Sequence, residues 1–272
     1  MRNILLSLLM PLLPKRILSF CFGEFARARL PDPLRLWVIK GFAKFYKIDM
    51  SEAEKPIERY KTLDALFTRR LKPGLRPIQS EWIHPVDGEL TANGIIMKDQ
   101  AFQVKGWEYS LSKLLGEQRY DFDRGVFLTY YLCPTDYHRV HSPVSGEIVS
   151  IRHLHGQLWP VNDWSVNHVK ELFCQNERVV INMHTNRGPV AVILVGATNV
   201  GQIEIKCDPE LRTNLPGRHA PYFKSFSPPI EVKAGDELGA FHLGSTVVVI
   251  MSPEYAQGYK ELARQKVKLG EY

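Results

Sequence analysis

Asp87, His141 and Ser245 follow one another along a chain of 272 residues, each inside a short motif: His84-Pro85-Val86-Asp87-Gly88, Asp136-Tyr137-His138-Arg139-Val140-His141 and Leu243-Gly244-Ser245-Thr246. Serine is a weak nucleophile until a base takes its proton, and a histidine does so well when a carboxylate fixes its tautomer and steadies its charge. These three residue types supply nucleophile, base and orienting acid. The serine quartet runs straight into Val247-Val248-Val249-Ile250-Met251, which reads as a tight turn feeding a buried strand. Taken alone, such a step is equally a structural turn in which Gly supplies an awkward backbone angle and the hydroxyls satisfy local amides. The exposed Gly-x-Ser-x-Gly elbow of an ordinary hydrolase does not occur in the sequence. A serine that leads into a core strand favours attack on the chain itself, at the carbonyl of Gly244, where the missing side chain permits the bent geometry of an N-to-O acyl shift.

His138, three residues before His141, is a candidate second catalytic group, since imidazole with its ordinary pKa of ~6.5 moves protons at neutral pH. Asn167 and His168 are candidates for contact with a substrate phosphate or carboxylate. His153-Leu154-His155 alternates so that both rings share one strand face, but no third ligand follows at a suitable spacing, so no metal site is expected.

The elements that must position these residues divide the chain in two. Residues 1–75 read as helical. Ile4 to Leu13 is an apolar run too short to cross a ~30 Å hydrocarbon layer, which needs about 20 residues, and it is broken by Pro11. No small-x-small cleavage site follows it before Lys15-Arg16, which argues against a signal peptide. Leu34, Trp37, Val38, Phe42, Phe45 and Tyr46 recur at helical spacing beside Arg35, Lys40, Lys44 and Lys47, the pattern of an amphipathic helix lying in a membrane interface. Thr62 is the N-cap of a short helix expected to run to Leu71. Residues 76–272 read as β-rich, with strands over 125–132, 146–153, 177–184, 189–195, 201–206 and 245–251, and a terminal helix or extended tail over 252–272. Residues 84–90 and 142–148 share the pattern Pro-Val-x-Gly-Glu-apolar. Two such corners could bring Asp87 and His141 together. The fold class expected is therefore α+β, with N-terminal amphipathic helices followed by a β-rich catalytic domain.

Charge follows the same division. Residues 1–47 hold nine Lys or Arg against Glu24 and Asp32, although the net charge of the whole chain is only +6. Basicity confined to the most aromatic and apolar segment suggests an anionic lipid surface rather than nucleic acid. The four cysteines form no Cys-x-x-Cys pair, so reduced thiols are the default.

The three motifs resemble those of the phosphatidylserine decarboxylase family, in its bacterial Leu-Gly-Ser-Thr branch. The resemblance extends through Trp164-Ser165-Val166-Asn167-His168, Asn176-Glu177-Arg178-Val179, Val195-Gly196-Ala197-Thr198 and Gly235-Asp236-Glu237-Leu238-Gly239. Residues 156–164 and 207–227 depart from the family pattern. The resemblance implies a proenzyme in which Asp87, His141 and Ser245 cut the chain between Gly244 and Ser245, leaving a large chain of residues 1–244 and a small one of 245–272 that stay associated. It implies a pyruvoyl cofactor made from Ser245, with neither metal nor pyridoxal phosphate, which forms a Schiff base with the substrate amine. It further implies phosphatidylserine as substrate, phosphatidylethanolamine as product, a homodimer, and a peripheral position on the cytoplasmic side of the cell membrane. Two other classes compete. One is a lipid-directed serine hydrolase that uses the same residues without cutting itself. The other is a lipoyl-hybrid-fold carrier or zinc peptidase, for which the Pro-Val-x-Gly-Glu turns speak.

Overall fold

The computed structural model describes residues 15–104, 107–161, 163–198, 202–214, 221–242 and 245–272, and only the backbone at 102–104, 107, 108, 163 and 245. The apolar run from Ile4 to Leu13 and the Leu243-Gly244 step lie outside the described residues. Helices gather at the N-terminus: α1 (Lys15–Arg27), α2 (Leu34–Phe45) and α3 (Leu63–Phe67). Thr62 caps α3 as expected, its Oγ1 accepting the Ala65 N–H at 3.0 Å. The helix stops after five residues rather than reaching Leu71, because the backbone there pairs with residues 52–54: Arg70 O accepts the Glu54 N–H, the Lys72 N–H donates to Glu52 O, and Ala53 bridges Leu71.

These helices have their own small core, made by Ala26, Ile39, Ala43, Tyr60, Leu63, Leu66 and Phe67. The aromatic stripe of α2 is divided by it. Phe42 and Tyr46 pack against that core, whereas Trp37 and Phe45 are 75% and 78% exposed. On α1, Ile17, Leu18 and Phe25 are also exposed. α1 and α2 thus each leave an apolar stripe uncovered.

The β-rich part is dominated by an eight-stranded antiparallel sheet. Its strands are β1 (Gly88–Ile95), β4 (Val126–Leu132), β6 (Gly146–Leu154), β7 (Arg178–Thr185), β8 (Gly188–Val195), β10 (Tyr222–Val232), β12 (Ser245–Met251) and β13 (Gln265–Val267). They lie in the order β10-β6-β7-β8-β12-β4-β1-β13. β7, β8 and β12 are runs of β-branched and apolar residues buried on both faces, the composition of central strands. A three-stranded sheet orders β5 (Arg139–His141), β11 (Glu237–His242) and β9 (Gln202–Ile205), and β2 (Gln100–Val104) pairs with β3 (Trp107–Ser110). Short helices α4 (Leu111–Leu115), α5 (Asp163–His168) and α6 (Leu172–Gln175) fill the connections. The last segment forms no α-helix: Pro253–Tyr255 make one 3₁₀ turn, Gly258 takes φ +76°, and the chain runs on extended into β13.

Candidate active site

The two Pro-Val-x-Gly-Glu turns lie side by side and antiparallel. Trp82 bridges Val144, the Ile83 N–H donates to Pro143 O at 2.9 Å, and the His141 N–H donates to Pro85 O at 2.9 Å. Asp87 and His141, separated by 54 positions in the sequence, are thereby brought to neighbouring turns. Both are 9% exposed. Gly88 admits the close approach that follows: a Cβ there would stand 2.7 Å from the Tyr131 carbonyl oxygen on β4.

Ser245 enters the same neighbourhood through its strand. It is the first residue of β12 and faces Leu132 on β4, whose other edge carries β1 with Glu89 opposite Tyr131. Two strand spacings of ~4.8 Å therefore separate the head of β12 from the start of β1, one residue after Asp87. Registers along β5 and β11 set the histidines at different distances from this point. His141 pairs with Glu237, eight residues before Ser245, whereas His138 O accepts the N–H of Phe241, four residues before it.

His141 is oriented by a carbonyl rather than by a carboxylate. Nδ1 lies 2.7 Å from Gly235 O, and since a carbonyl only accepts, that nitrogen carries the proton. Nε2 is then the basic atom, and it receives the Tyr137 hydroxyl at 3.1 Å. Gly235 holds φ +87°, and a Cβ would come 2.5 Å from Ile78 Cδ1, so no other residue presents this carbonyl without strain. Burial lowers the His141 pKa, while the charges of Glu237 and Asp87 pull the other way. Asp87 itself is held by Arg76 and the tail. Arg76 Nε donates to Oδ1 at 2.9 Å, Nη2 reaches Oδ2, and the Leu269 N–H donates to Oδ1 at 2.9 Å. Asp87 thus bears on His141 through its charge.

His138 is fully buried against Phe67, ring centroids 3.9 Å apart. Its Nδ1–H donates to Asp136 O at 2.9 Å, while Nε2 is buried with no hydrogen-bond partner among the described residues. Burial pushes its pKa down to about 3, so it stands neutral with a free lone pair. Two open cavities flank these groups. One of about 440 Å³ includes Asp87, Arg76, Asp136 and Tyr137; the other, about 260 Å³, includes His141, Tyr137, Arg70 and Lys72.

The remaining candidates lie on other elements. His168 is exposed on α5, its Nδ1 2.7 Å from Trp164 O and its ring stacked on the indole, and Asn167 is half-buried beside it. His153 and His155 do not converge on a common point: His153 Nε2 bonds Glu177 at 2.8 Å, and Arg16 reaches both His155 and Glu177. A permanent cation already sits there. Among the described residues no cluster of three or more His, Cys, Asp or Glu is arranged to hold a metal. Tyr137, Arg76 and Gly235 were not singled out from the sequence. Tyr137 lies inside the histidine motif and Gly235 in a Lys-Ala-Gly-Asp turn, but their partners are set by tertiary contact; Arg76 has no sequence signal at all.

Fold and site define an α+β enzyme, with a buried histidine and a carboxylate on neighbouring turns near the head of a central strand that starts at a serine. Comparison with known proteins gives the class its name. Residues 63–272 match the family model described as phosphatidylserine decarboxylase. A phosphatidylserine decarboxylase proenzyme of Anaeromyxobacter sp. (strain K) is 42% identical over 267 residues, 96% of this chain and 94% of its own. Those of Myxococcus xanthus (strain DK1622) and Idiomarina loihiensis (strain ATCC BAA-735 / DSM 15497 / L2-TR) are 40% and 41% identical, over 90% and 95% of this chain and 89% and 92% of their own. The chain belongs to the phosphatidylserine decarboxylase family and is a decarboxylase.

Proposed function

We propose that the chain is made as a proenzyme, cuts itself between Gly244 and Ser245, and converts phosphatidylserine to phosphatidylethanolamine with a pyruvoyl group formed from Ser245. The observation that carries this reading is the place of Ser245 at the head of β12, a strand laddered on both edges by β4 and β8. A new N-terminus created there would stay anchored in the middle of the sheet, whereas the serine of a hydrolase stands on an exposed turn.

In this scheme the Ser245 hydroxyl adds to the Gly244 carbonyl carbon and gives its proton to Nε2 of His141. That proton returns to the Ser245 nitrogen as the C–N bond breaks, leaving Gly244 joined to residue 245 through an ester oxygen. Loss of the residue 245 α-proton expels the Gly244 carboxylate. One water then adds to the resulting alkene amine and ammonia leaves. Gly235 O and the Asp87 charge favour the imidazolium that forms. A pyruvoyl group supplies an electron sink while carbon dioxide departs. His138 is the second proton-handling group of the decarboxylation step. Asn167 and His168 meet the headgroup phosphate or carboxylate. The exposed stripes of α1 and α2, set among the N-terminal cations, hold the enzyme to the cytoplasmic face of an anionic membrane, and two copies assemble as a dimer.

Denaturing intact-mass spectrometry of wild type and Ser245→Ala tests the scheme. The wild type is expected to give residues 1–244 and a 245–272 chain beginning with pyruvoyl, the variant one intact chain that releases no carbon dioxide from phosphatidylserine. A Ser245→Ala chain that still parted at Gly244 would sink the proposal, and an intact, lipolytic wild type would establish the hydrolase.

A further inference from the structure

His242 lies two residues before Gly244, at the end of β11, and both of its ring nitrogens meet carboxylates. Nδ1 is 2.7 Å from Oδ1 of Asp64 in the first turn of α3, and Nε2 is 3.2 Å from Oε2 of Glu204 on β9. A carboxylate only accepts, so both contacts are hydrogen bonds when the ring carries both protons. The surroundings keep it so. Burial alone would lower the pKa of this ring, but its bonds to Asp64 and Glu204 and their charges outweigh burial and raise it to about 9.

The chemistry outlined above makes no use of this imidazolium, and its position gives it one. Asp64 belongs to the N-terminal helices, whereas Glu204 sits on the strand beside β11, opposite Ala240. One ring therefore ties the chain just upstream of the Gly244-Ser245 step to two separate elements. Downstream, Ser245 is held independently by the β12 ladder. An acyl shift needs its reacting atoms within ~3.5 Å and aligned, and a misplacement of ~1 Å can cost about a hundredfold in rate. With one side of the bond fixed by the sheet, the rate depends on what fixes the other.

We propose that His242 is a positioning residue for self-cleavage, its imidazolium clamping the upstream side of the Gly244-Ser245 step between Asp64 and Glu204 so that the Gly244 carbonyl is presented to Ser245. The proposal rests on the processing scheme above and adds to it a residue outside the three that carry the chemistry. A pH dependence follows. The clamp is complete below the ordinary histidine pKa of 6.5 and is lost as pH rises through about 9. The charged groups around it are Asp64, Glu204, and Arg139 and Arg212, which act on Glu204.

The test is the rate at which newly synthesised full-length chain is cut, followed by gel and intact mass from pH 6.5 to 10. His242→Gln is expected to slow cleavage about tenfold at neutral pH, and His242→Arg, which keeps the charge, to stay within about threefold of wild type. The ratio of wild-type to His242→Arg rates should fall as pH passes about 9. Glu204→Gln, at a carboxylate that is 55% exposed and so safe for folding, should move that fall to lower pH. Wild-type speed in His242→Gln, or a ratio flat across pH in both His242→Arg and Glu204→Gln backgrounds, would overturn the clamp. Failure of the underlying scheme looks different: there the wild-type chain itself stays whole.

Discussion

At the scale of single residues, the site turns on who holds whom. A serine-histidine-aspartate set read from sequence carries the expectation of a carboxylate bonded to the imidazole. Here the Nδ1–H of His141 goes to Gly235 O, and the carboxylate of Asp87 goes to Arg76 and Leu269. Arg76 is the pivot, since its other bonds reach Glu52, with Nη2 2.6 Å from Oε2. Its side chain is 8% exposed and that of Asp87 12%, so the pair is buried. Removing one partner of such a pair costs about 3 kcal/mol, because the other charge is left in the interior. Arg76→Gln should therefore lower unfolding free energy by about 3 kcal/mol and slow cleavage with it. A pH signature identifies the cause. The bond to Arg76 depresses the Glu52 pKa below its ordinary 4.5; a depressed carboxylate stabilises the fold above that value and loses the contribution as pH falls through the folded pKa. Urea unfolding of wild type between pH 3 and 6 should show a slope that Arg76→Gln flattens. Equal slopes and equal midpoints would show that Arg76 does not hold these acids.

Secondary-structure elements were legible in the sequence where composition alone specifies them. The β-branched runs expected at 125–132, 146–153, 177–184, 189–195, 201–206 and 245–251 appear as β4, β6, β7, β8, β9 and β12 within two residues at each end. β2, β3, β5, β10, β11 and β13 were not foreseen; β2 and β3 are short, five and four residues. β5 and β13 are three residues long, β10 carries Ser227-Pro228-Pro229, and β11 mixes Gly, Glu and His among its apolar residues. Only pairing to a neighbour makes strands of them. Asp87 and His141 were legible because their turns repeat a pattern. Arg76, Gly235 and His242 were not, because their partners lie on other elements. β12 and β13 also carry an expectation for the cut molecule. Residues 245–272 contribute a central strand, an edge strand and the Leu269 N–H that holds Asp87. Native mass spectrometry of the processed enzyme should give one particle containing both chains, and in urea the small chain should leave only as the β-sheet circular dichroism collapses. Release at a lower urea concentration than that collapse would mean that the strand is not integral to the sheet.

Across the whole molecule, the N-terminal helices are bound to the sheet body at several points. Lys15 lies 3.9 Å above the Trp159 ring, Arg16 reaches Gly156 O and Glu177, Arg69 donates to Thr135 O, and Arg139 donates to Thr68 O at 3.0 Å. Two of these seats, Gly156 and Trp159, belong to the 156–164 stretch that departs from the family pattern. A body fixed to its helices in this way is oriented by whatever the helices touch. No described helix is long and apolar enough to cross a membrane, and α2 instead turns Trp37 and Phe45 outward with Lys44, Lys47 following just beyond its end. Each large apolar side chain that leaves water gains about 1.5–3 kcal/mol when fully buried, and each nearby cation adds about 1 kcal/mol at an anionic surface. Trp37→Glu with Phe45→Glu should therefore weaken binding to phosphatidylserine-containing vesicles by about 100-fold or more, measured by sedimentation. Because both side chains already face solvent, unfolding free energy should move by less than about 1 kcal/mol. Salt separates the two contributions: raising it to ~0.5 M should remove the cationic part and leave the apolar part of wild-type binding. A double variant that sediments with vesicles as wild type does would show that the membrane is met by another face, and that the exposed stripe on α2 has a different partner.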